Sequence, residues 1–556
     1  MRISPRTPAI AILLLAACRG DGGSAPKHAS TLVMTLPADA DVFIPALTTN
    51  ETSVQVTSVL FEKLASVGDS LNVIGDSGFR PALADSWTWG PDSLTIAFHI
   101  DPKARWQDGV PVRAADVVYS FRINTSKAIG AVAGPLLAGI DSVTARDSAT
   151  AVFWFHARTL EQFYNAAAQI SVLPAHLLQN IPDSSLKTAP FNRNPVGSGP
   201  YKFTRWVSGS TIEVDADSTF HGGRPKIDRL IWSIAANPDA AMLRLFSGEA
   251  NFTETLRKQD IDQIAKHPEL KAVHYPSMLV YFVRFNARAR GGTHGPHAIF
   301  GDREVRRALT MALDRRRAVT TVFDSATQVA VGPITSALGT YDSNLPQIAY
   351  APDSAAAILE RRGWVMGKDG VRHKGGAPLQ FSILVPSTST QRQQMVVLMQ
   401  DMMKRIGARM DIERVDFPTM IAHGKAHDYD ASFEGMSLDP TPSGIRQEWS
   451  TAAAKREGTS NTGYYMSSTF DAAVDSAVAS RDPQAAIAYY RRAYATLIDD
   501  APGIWMYELP SIAGMSVNVH PAPMRADLWF AHLADWTVGD AAAPKSASVA
   551  LAAGAH

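Results

Sequence analysis

Apolar positions along this chain fall into short, clearly different periods. Thr31–Leu36 alternates apolar and polar residues, as a half-buried strand does. Leu94, Ile96, Phe98 and Ile100 alternate with Thr95, Ala97, His99 and Asp101, which predicts another strand over 94–100. Gly90-Pro91-Asp92-Ser93 gives a turn before it, and Asp108-Gly109 a turn after it. A helix comes next over 114–123, with Val117, Val118 and Phe121 as its apolar stripe. The same reading predicts a helix over 54–64, two short strands within 140–155, and helices over 159–168 and 174–180. It places strands over 211–214 and 230–234, a helix over 239–247 ended by Gly248, and a buried strand over Leu279–Phe285.

Beyond residue 300 the period lengthens. Val305, Ala308, Leu309, Ala312 and Leu313 recur at helical spacing, predicting one helix over 302–323 with Asp302 as its cap. A helix over 354–362 ends at Gly363. A strand over 379–385, a helix over 392–406 and a strand over 410–415 form a β-α-β succession. That order requires a parallel sheet with a crossover helix. Ligands of such sheets bind beyond the carboxyl ends of the strands. A helix over 485–497 and a strand over 503–507 complete the pattern.

Composition narrows the function. The chain has 556 residues, 46% hydrophobic and 19% charged, enough for several cores. Lys+Arg and Asp+Glu are both 53, so there is no electrostatic case for a nucleic-acid partner. Cys18 is the single cysteine, which excludes an intrachain disulfide and a Cys-based zinc site. Arg2 and Arg6 precede an apolar run over 9–17 that is shorter than the roughly 20 residues a bilayer needs. The run ends in Leu15-Ala16-Ala17-Cys18, which resembles the lipobox of bacterial lipoproteins. That resemblance implies a signal peptide over 1–17, a lipid on Cys18 and a polar tether over 18–30; the alternative is an ordinary secretory signal. The tail over 541–556 is low-complexity and is expected to be disordered.

Catalytic patterns are missing. There is no G-x-S-x-G and no H-E-x-x-H. His423 and His427 stand at i,i+4, but Gly424 weakens a helix there and no third metal ligand has suitable spacing. His294 and His297 lie in a Gly-rich loop. Gly197 and Gly199 lack the Gly-Lys-Ser/Thr of a phosphate loop. The chain therefore reads as a non-enzyme with no metal site and no cofactor. Trp106 beside Asp108 is the one spot that first looks like a site.

Several motifs in order carry a resemblance. Leu83-Ala84-x-Ser86-Trp87 is followed by the 94–100 strand. Then comes Trp106-x-Asp108-Gly109-x-Pro111, with Ala114, Asp116, Val117 and Ser120 in its helix. NPVGSGPY stands at 194–201 and VRRALTMALDR at 305–315. Together they resemble family 5 solute-binding proteins of ABC importers, the oligopeptide, dipeptide and nickel binding proteins, over about 31–519. The resemblance implies an α/β fold of periplasmic-binding-protein type II-like architecture, two α/β lobes with a hinge plus an extra subdomain in the first lobe. The main lobe would be 31–50, 194–285 and 501–540, the extra subdomain 51–193 and the second lobe 286–500.

The function implied is extracytoplasmic capture of short peptides by a lipid-anchored monomer, which delivers them to a membrane permease and its ATPase. Nickel or a metal chelate is the alternative solute, and an orphan lipoprotein acting as chaperone or sensor the alternative role. The resemblance also carries over site residues. Aligning on Gly435 puts Asp439 where family members hold the peptide ammonium, with Met436 replacing an aromatic and Pro440 and Pro442 shortening the segment after it. Phe417 matches a pocket aromatic, Tyr507 a cleft residue, and Thr49 and Glu51 a cleft loop. Their plainer readings are a turn-forming Asp-Pro, a core Phe and a helix cap.

Overall fold

The computed structural model describes residues 30–292, 295–323, 327–456 and 459–539. Cys18, the signal segment, the tether before Ser30, His294 and the 541–556 tail lie outside the described residues. Three larger sheets organise the rest into a mixed α/β fold.

The first sheet has seven strands, in the order Leu270–Tyr275, Ser511–Ser516, Phe252–Thr253, Thr31–Leu36, Arg229–Ile234, Thr211–Ala216 and Tyr201–Val207. Thr31–Leu36 runs parallel to Arg229–Ile234 and to Phe252–Thr253. Leu32 and Met34 pair with Leu230 and Trp232, and all four are buried. A four-stranded antiparallel sheet of Ala84–Trp89, Thr95–Ile100, Thr150–Phe155 and Ile140–Ala145 forms the extra subdomain with helix Ala114–Thr125. Ile96, Phe98 and Ile100 all point into its core, as the period of two requires. The glycines of NPVGSGPY serve packing: a Cβ on Gly197 would sit 1.8 Å from the Leu60 carbonyl oxygen, and the Gly199 N–H donates to that oxygen at 2.8 Å.

The second sheet has five strands, Arg409–Val415, Gln380–Pro386, Ala431–Ser437, Leu279–Phe285 and Gly503–Glu508. The first three are parallel, with helix Thr390–Arg405 joining Gln380–Pro386 to Arg409–Val415, as the β-α-β succession predicted. Leu279–Phe285 joins this sheet antiparallel to Ala431–Ser437, and Gly503–Glu508 pairs antiparallel with Leu279–Phe285 at the edge, so neither lies in the main-lobe sheet where the sequence boundaries at 285 and 501 put them. Val280, Phe282, Val283 and Phe285 are all buried, so both faces of the strand are apolar and it would fit either core. The chain therefore crosses between lobes at 276–278 and at 509–510. The Ser277 hydroxyl donates to the Leu509 carbonyl at 2.6 Å and ties the two crossings together.

Two helix boundaries differ from the periodicity. The expected 302–323 helix is two helices, Arg303–Met311 and Arg315–Val322. Asp314 caps the second by accepting from the Arg317 N–H at 2.9 Å, a break the continuous apolar spacing hides. The expected 54–64 helix is Glu51–Leu60, and its chain turns extended at Phe61.

Candidate functional site

Strand direction decides which residues face the space between the lobes. Leu270–Tyr275 is antiparallel to Ser511–Ser516, which is antiparallel to Phe252–Thr253. The carboxyl ends at Leu36, Ile234, Thr253 and Tyr275 therefore share one edge, and from Tyr275 the chain passes directly into the second lobe. Leu279 begins at that crossing, and the Leu438 N–H donates to the Met278 carbonyl at 2.8 Å. Ser437, Pro386 and Val415 thus end at the edge of the second sheet facing the first lobe. The parallel strands of both sheets present their carboxyl ends to one cleft, where such strands place ligands.

On the first lobe this edge carries Glu254 and the start of helix Glu51–Leu60. Asn50 caps the helix, accepting from the Ser53 N–H at 2.9 Å. The Gln55 side chain donates to Glu254 at 3.1 Å. Burial, and next the Glu51 carboxylate in the first turn of that helix, push the Glu254 carboxyl up to about 7. Glu51 is exposed. Thr49 is exposed too, but its N–H and hydroxyl both donate to Asp41, at 2.9 and 2.6 Å.

The second lobe supplies three segments. Val415 leads to Asp416, which caps helix Phe417–Ala426 by accepting from the Thr419 N–H at 2.7 Å and leaves Phe417 55% exposed. Ser437 leads to Leu438 and then to Asp439, which is exposed. Pro386 leads to the Ser389 cap and to Arg392 in the first turn of helix Thr390–Arg405. The Arg392 guanidinium lies 5.5 Å over the Tyr281 ring and donates through Nη1 to the Phe433 carbonyl at 3.3 Å. Its Nε is buried without a partner. Tyr281 stacks on Tyr507 at 4.7 Å between ring centroids. Gly435 lies opposite Tyr281 in register, and a Cβ there would be 2.8 Å from the ring.

Residues 78–456 match the family described as Bacterial extracellular solute-binding proteins, family 5 Middle. The chain belongs to this family. The solute-binding protein is 25% identical over 510 residues to the oligopeptide-binding protein AppA of Bacillus subtilis (strain 168), spanning 89% of this chain and 91% of that one. The solved structure of AppA from Bacillus subtilis in complex with a nonapeptide matches with a TM-score of 0.66 at 24% identity, covering 92% of this chain and 99% of that one. NikZ from Campylobacter jejuni in complex with Ni(L-His) matches with a TM-score of 0.70 at 21% identity, covering 91% and 99%. These structures share the solute-binding protein's fold. Among the described residues, no helix is long and apolar enough to cross a membrane.

Within this solute-binding protein, Asp439, Phe417, Glu51 and Thr49 lie at the edges facing the cleft. Met436 and Tyr507 do not reach it. Met436 is 7% exposed and packs beside Val280, and Tyr507 is 1% exposed beneath Tyr281 and Phe323. The expected cleft contact of Tyr507 is corrected to support of Tyr281: Tyr507 is the cross-strand partner of Tyr281 on the same face, and the rings of Tyr281 and Phe323 cover it. Trp106 likewise belongs to the scaffold, buried with its indole N–H on Asp116 at 3.3 Å. His423 and His427 share no common partner: their Nδ1 atoms lie against the Asp428 and Thr462 carbonyls. Arg392, Tyr281 and Glu254 were missed by sequence reasoning. Arg392 had a signal, since it opens the helix after a parallel strand, where ligands of α/β sheets sit.

Proposed function

We propose that this protein captures short peptides between its lobes and passes them to a membrane permease driven by an ATPase, binding the solute without chemical change. One observation carries the reading. Asp439, an acid open to solvent, and Arg392, a guanidinium with an unpartnered Nε, stand on the same edge of the second sheet. A peptide is a zwitterion, and charge-assisted hydrogen bonds to its two ends are the directional contacts that any peptide sequence can share. Side chains would then lie against Phe417 and toward the first-lobe wall of Glu51 and Glu254. Closure of the lobes is a population shift, driven by the ligand's better affinity for the closed state. The oligopeptide-binding relative supports peptides as the solute class. A lipid on Cys18 would hold the protein at a membrane surface, and Cys18→Ser should release it to the soluble fraction.

Native mass spectrometry of the freshly purified protein tests the solute class by weighing what travels with it. Calorimetry with tri-alanine then tests the register: Asp439→Asn should weaken binding by about tenfold or more, the scale of one lost charge-assisted contact. N-acetylated tri-alanine should bind the wild type as poorly as free tri-alanine binds the variant. Equal affinity in all four combinations refutes the role of Asp439. A melting point raised by nickel with histidine, and not by peptides, would replace the peptide reading with a chelate.

A further inference from the structure

The extra subdomain contributes no strand to either sheet that lines the cleft, yet it touches the loop that carries Asp439. Glu161 precedes the subdomain helix Gln162–Ala168. Its Oε1 accepts from the Ser443 N–H at 3.1 Å, and its Oε2 accepts from the Ser443 hydroxyl at 2.5 Å. Ser443 sits in the short 3-10 turn Pro442–Gly444 of the second lobe, and a Cβ on Gly444 would lie 3.8 Å from Asp439 Oδ2. The contact is therefore bidentate, spans the lobes and grips the 438–444 turn through Ser443.

Neighbouring contacts place this grip inside a packed seam. Ile74 of the subdomain is buried in one core with Trp449, Tyr490 and Tyr494 of the second lobe. The Arg158 guanidinium donates to the Arg481 carbonyl at 3.2 Å. Burial pushes the Tyr164 hydroxyl up to about 12, and the Asp527 and Asp439 carboxylates add to that shift, which puts Asp439 within electrostatic reach of the same subdomain helix.

We infer that Glu161 is a positioning residue for solute capture: it latches the extra subdomain onto the 438–444 turn, holds Asp439 in its binding geometry and couples the subdomain to lobe closure. The inference rests on capture between the lobes and gives the extra subdomain a part in it. A latch that forms only when the lobes meet adds its free energy to the closed state, so it raises ligand affinity without touching ligand. The groups facing Glu161 are Ser443 and Arg446 before and within helix Ile445–Trp449, and Tyr490 and Tyr494 on helix Pro483–Asp500. Arg446 is itself paired with Asp475. Burial raises the Glu161 carboxyl above its ordinary value against the opposing Ser443 bonds. The latched state thus takes up a proton more readily than the parted one, and capture should tighten as pH falls and weaken as pH rises.

Hydrogen exchange of the 438–446 segment, without peptide, reads the latch directly, and tri-alanine calorimetry reads its effect on capture. Glu161→Ala should speed exchange and weaken tri-alanine on the order of tenfold each. Glu161→Gln keeps an acceptor for Ser443 and removes the charge. It should stay within about twofold of wild type in exchange while flattening the pH dependence of affinity. Unchanged exchange in Glu161→Ala overturns the latch. If that variant fails to fold, Ser443→Ala takes its place, with faster exchange expected and unchanged exchange overturning the proposal. If tri-alanine binds none of the proteins, the peptide reading fails, and exchange alone still decides the latch.

Discussion

Replacing Asp116 with alanine separates scaffold from site in the stretch that first looked most like chemistry. Asp116 is 5% exposed. Its Oδ2 accepts from the Arg113 N–H at 2.8 Å and from the Trp106 indole at 3.3 Å, and its Oδ1 accepts from the Ala175 N–H at 2.9 Å. One carboxylate thus fastens the start of helix Ala114–Thr125, the buried Trp106 and the turn entering helix Ala175–Leu178. Asp116→Ala leaves three buried donors, each costing roughly 1–3 kcal/mol unpaired. Removal of the buried charge, whose own carboxyl is raised by burial, offsets part of that loss. The expected destabilisation is about 3–5 kcal/mol, three unpaired buried donors less the relief of a buried charge. Asp116→Asn keeps an oxygen for Arg113 and Trp106 but turns an amide toward the Ala175 N–H, so it should lose about 1–3 kcal/mol. Urea unfolding followed by tryptophan fluorescence measures both. Tri-alanine affinity of the protein that stays folded should match wild type. A loss under about 1 kcal/mol in the alanine variant, or lost peptide affinity at unchanged stability, would refute the scaffold reading and make this stretch a candidate site again.

Two other perturbations test the cleft. The Glu254 carboxyl is raised to about 7 from an ordinary 4.5, so its contribution to stability is fully present below about 4.5 and is lost as pH rises from there through about 7. Glu254→Gln should therefore be about 1–2 kcal/mol more stable than wild type at pH 8 and equal to it near pH 4, and equal melting at both would count against a buried, protonated Glu254. Gly435→Ala puts a Cβ 2.8 Å from the Tyr281 ring, below any ordinary contact. It should shift the Tyr281–Tyr507 stack, cost about 1–3 kcal/mol in melting experiments and weaken tri-alanine together with it; a variant with wild-type affinity would remove Tyr281 from the site wall.

Much of the fold could be read from periodicity because its cues are local. Thr31–Leu36 and Leu279–Phe285 fall on their predicted ends, since turns and alternation bound them. What stayed hidden depends on partners. Nothing within Leu279–Phe285 says which sheet it joins, as its buried faces fit either core. Nothing in the apolar spacing of 302–323 marks the cap at Asp314. The site divides the same way. Asp439 and Phe417 come from motif register, and their part in binding is a proposal, whereas Tyr507 shares the face of Tyr281 but lies beneath its ring. Arg392, Tyr281 and Glu254 become visible only once strand directions bring the carboxyl ends of two sheets together. Glu161 and Ser443 are 282 residues apart, beyond any spacing rule.

The place of Ser511–Ser516 in the first sheet sets a timetable for the growing chain. This strand lies between Phe252–Thr253 and Leu270–Tyr275, and Leu270–Tyr275 has no other neighbour in the sheet. The described part of the first lobe begins near residue 30 but cannot finish its sheet until residue 516 has been made. In the second sheet the latest strand, Gly503–Glu508, sits at an edge, so the other four strands can pair before the chain is complete. The lobe that starts first is thus the one completed last. A half-made chain carries an open sheet edge, and a truncation before residue 511 should leave that edge free for aggregation while the second lobe retains most of its strands.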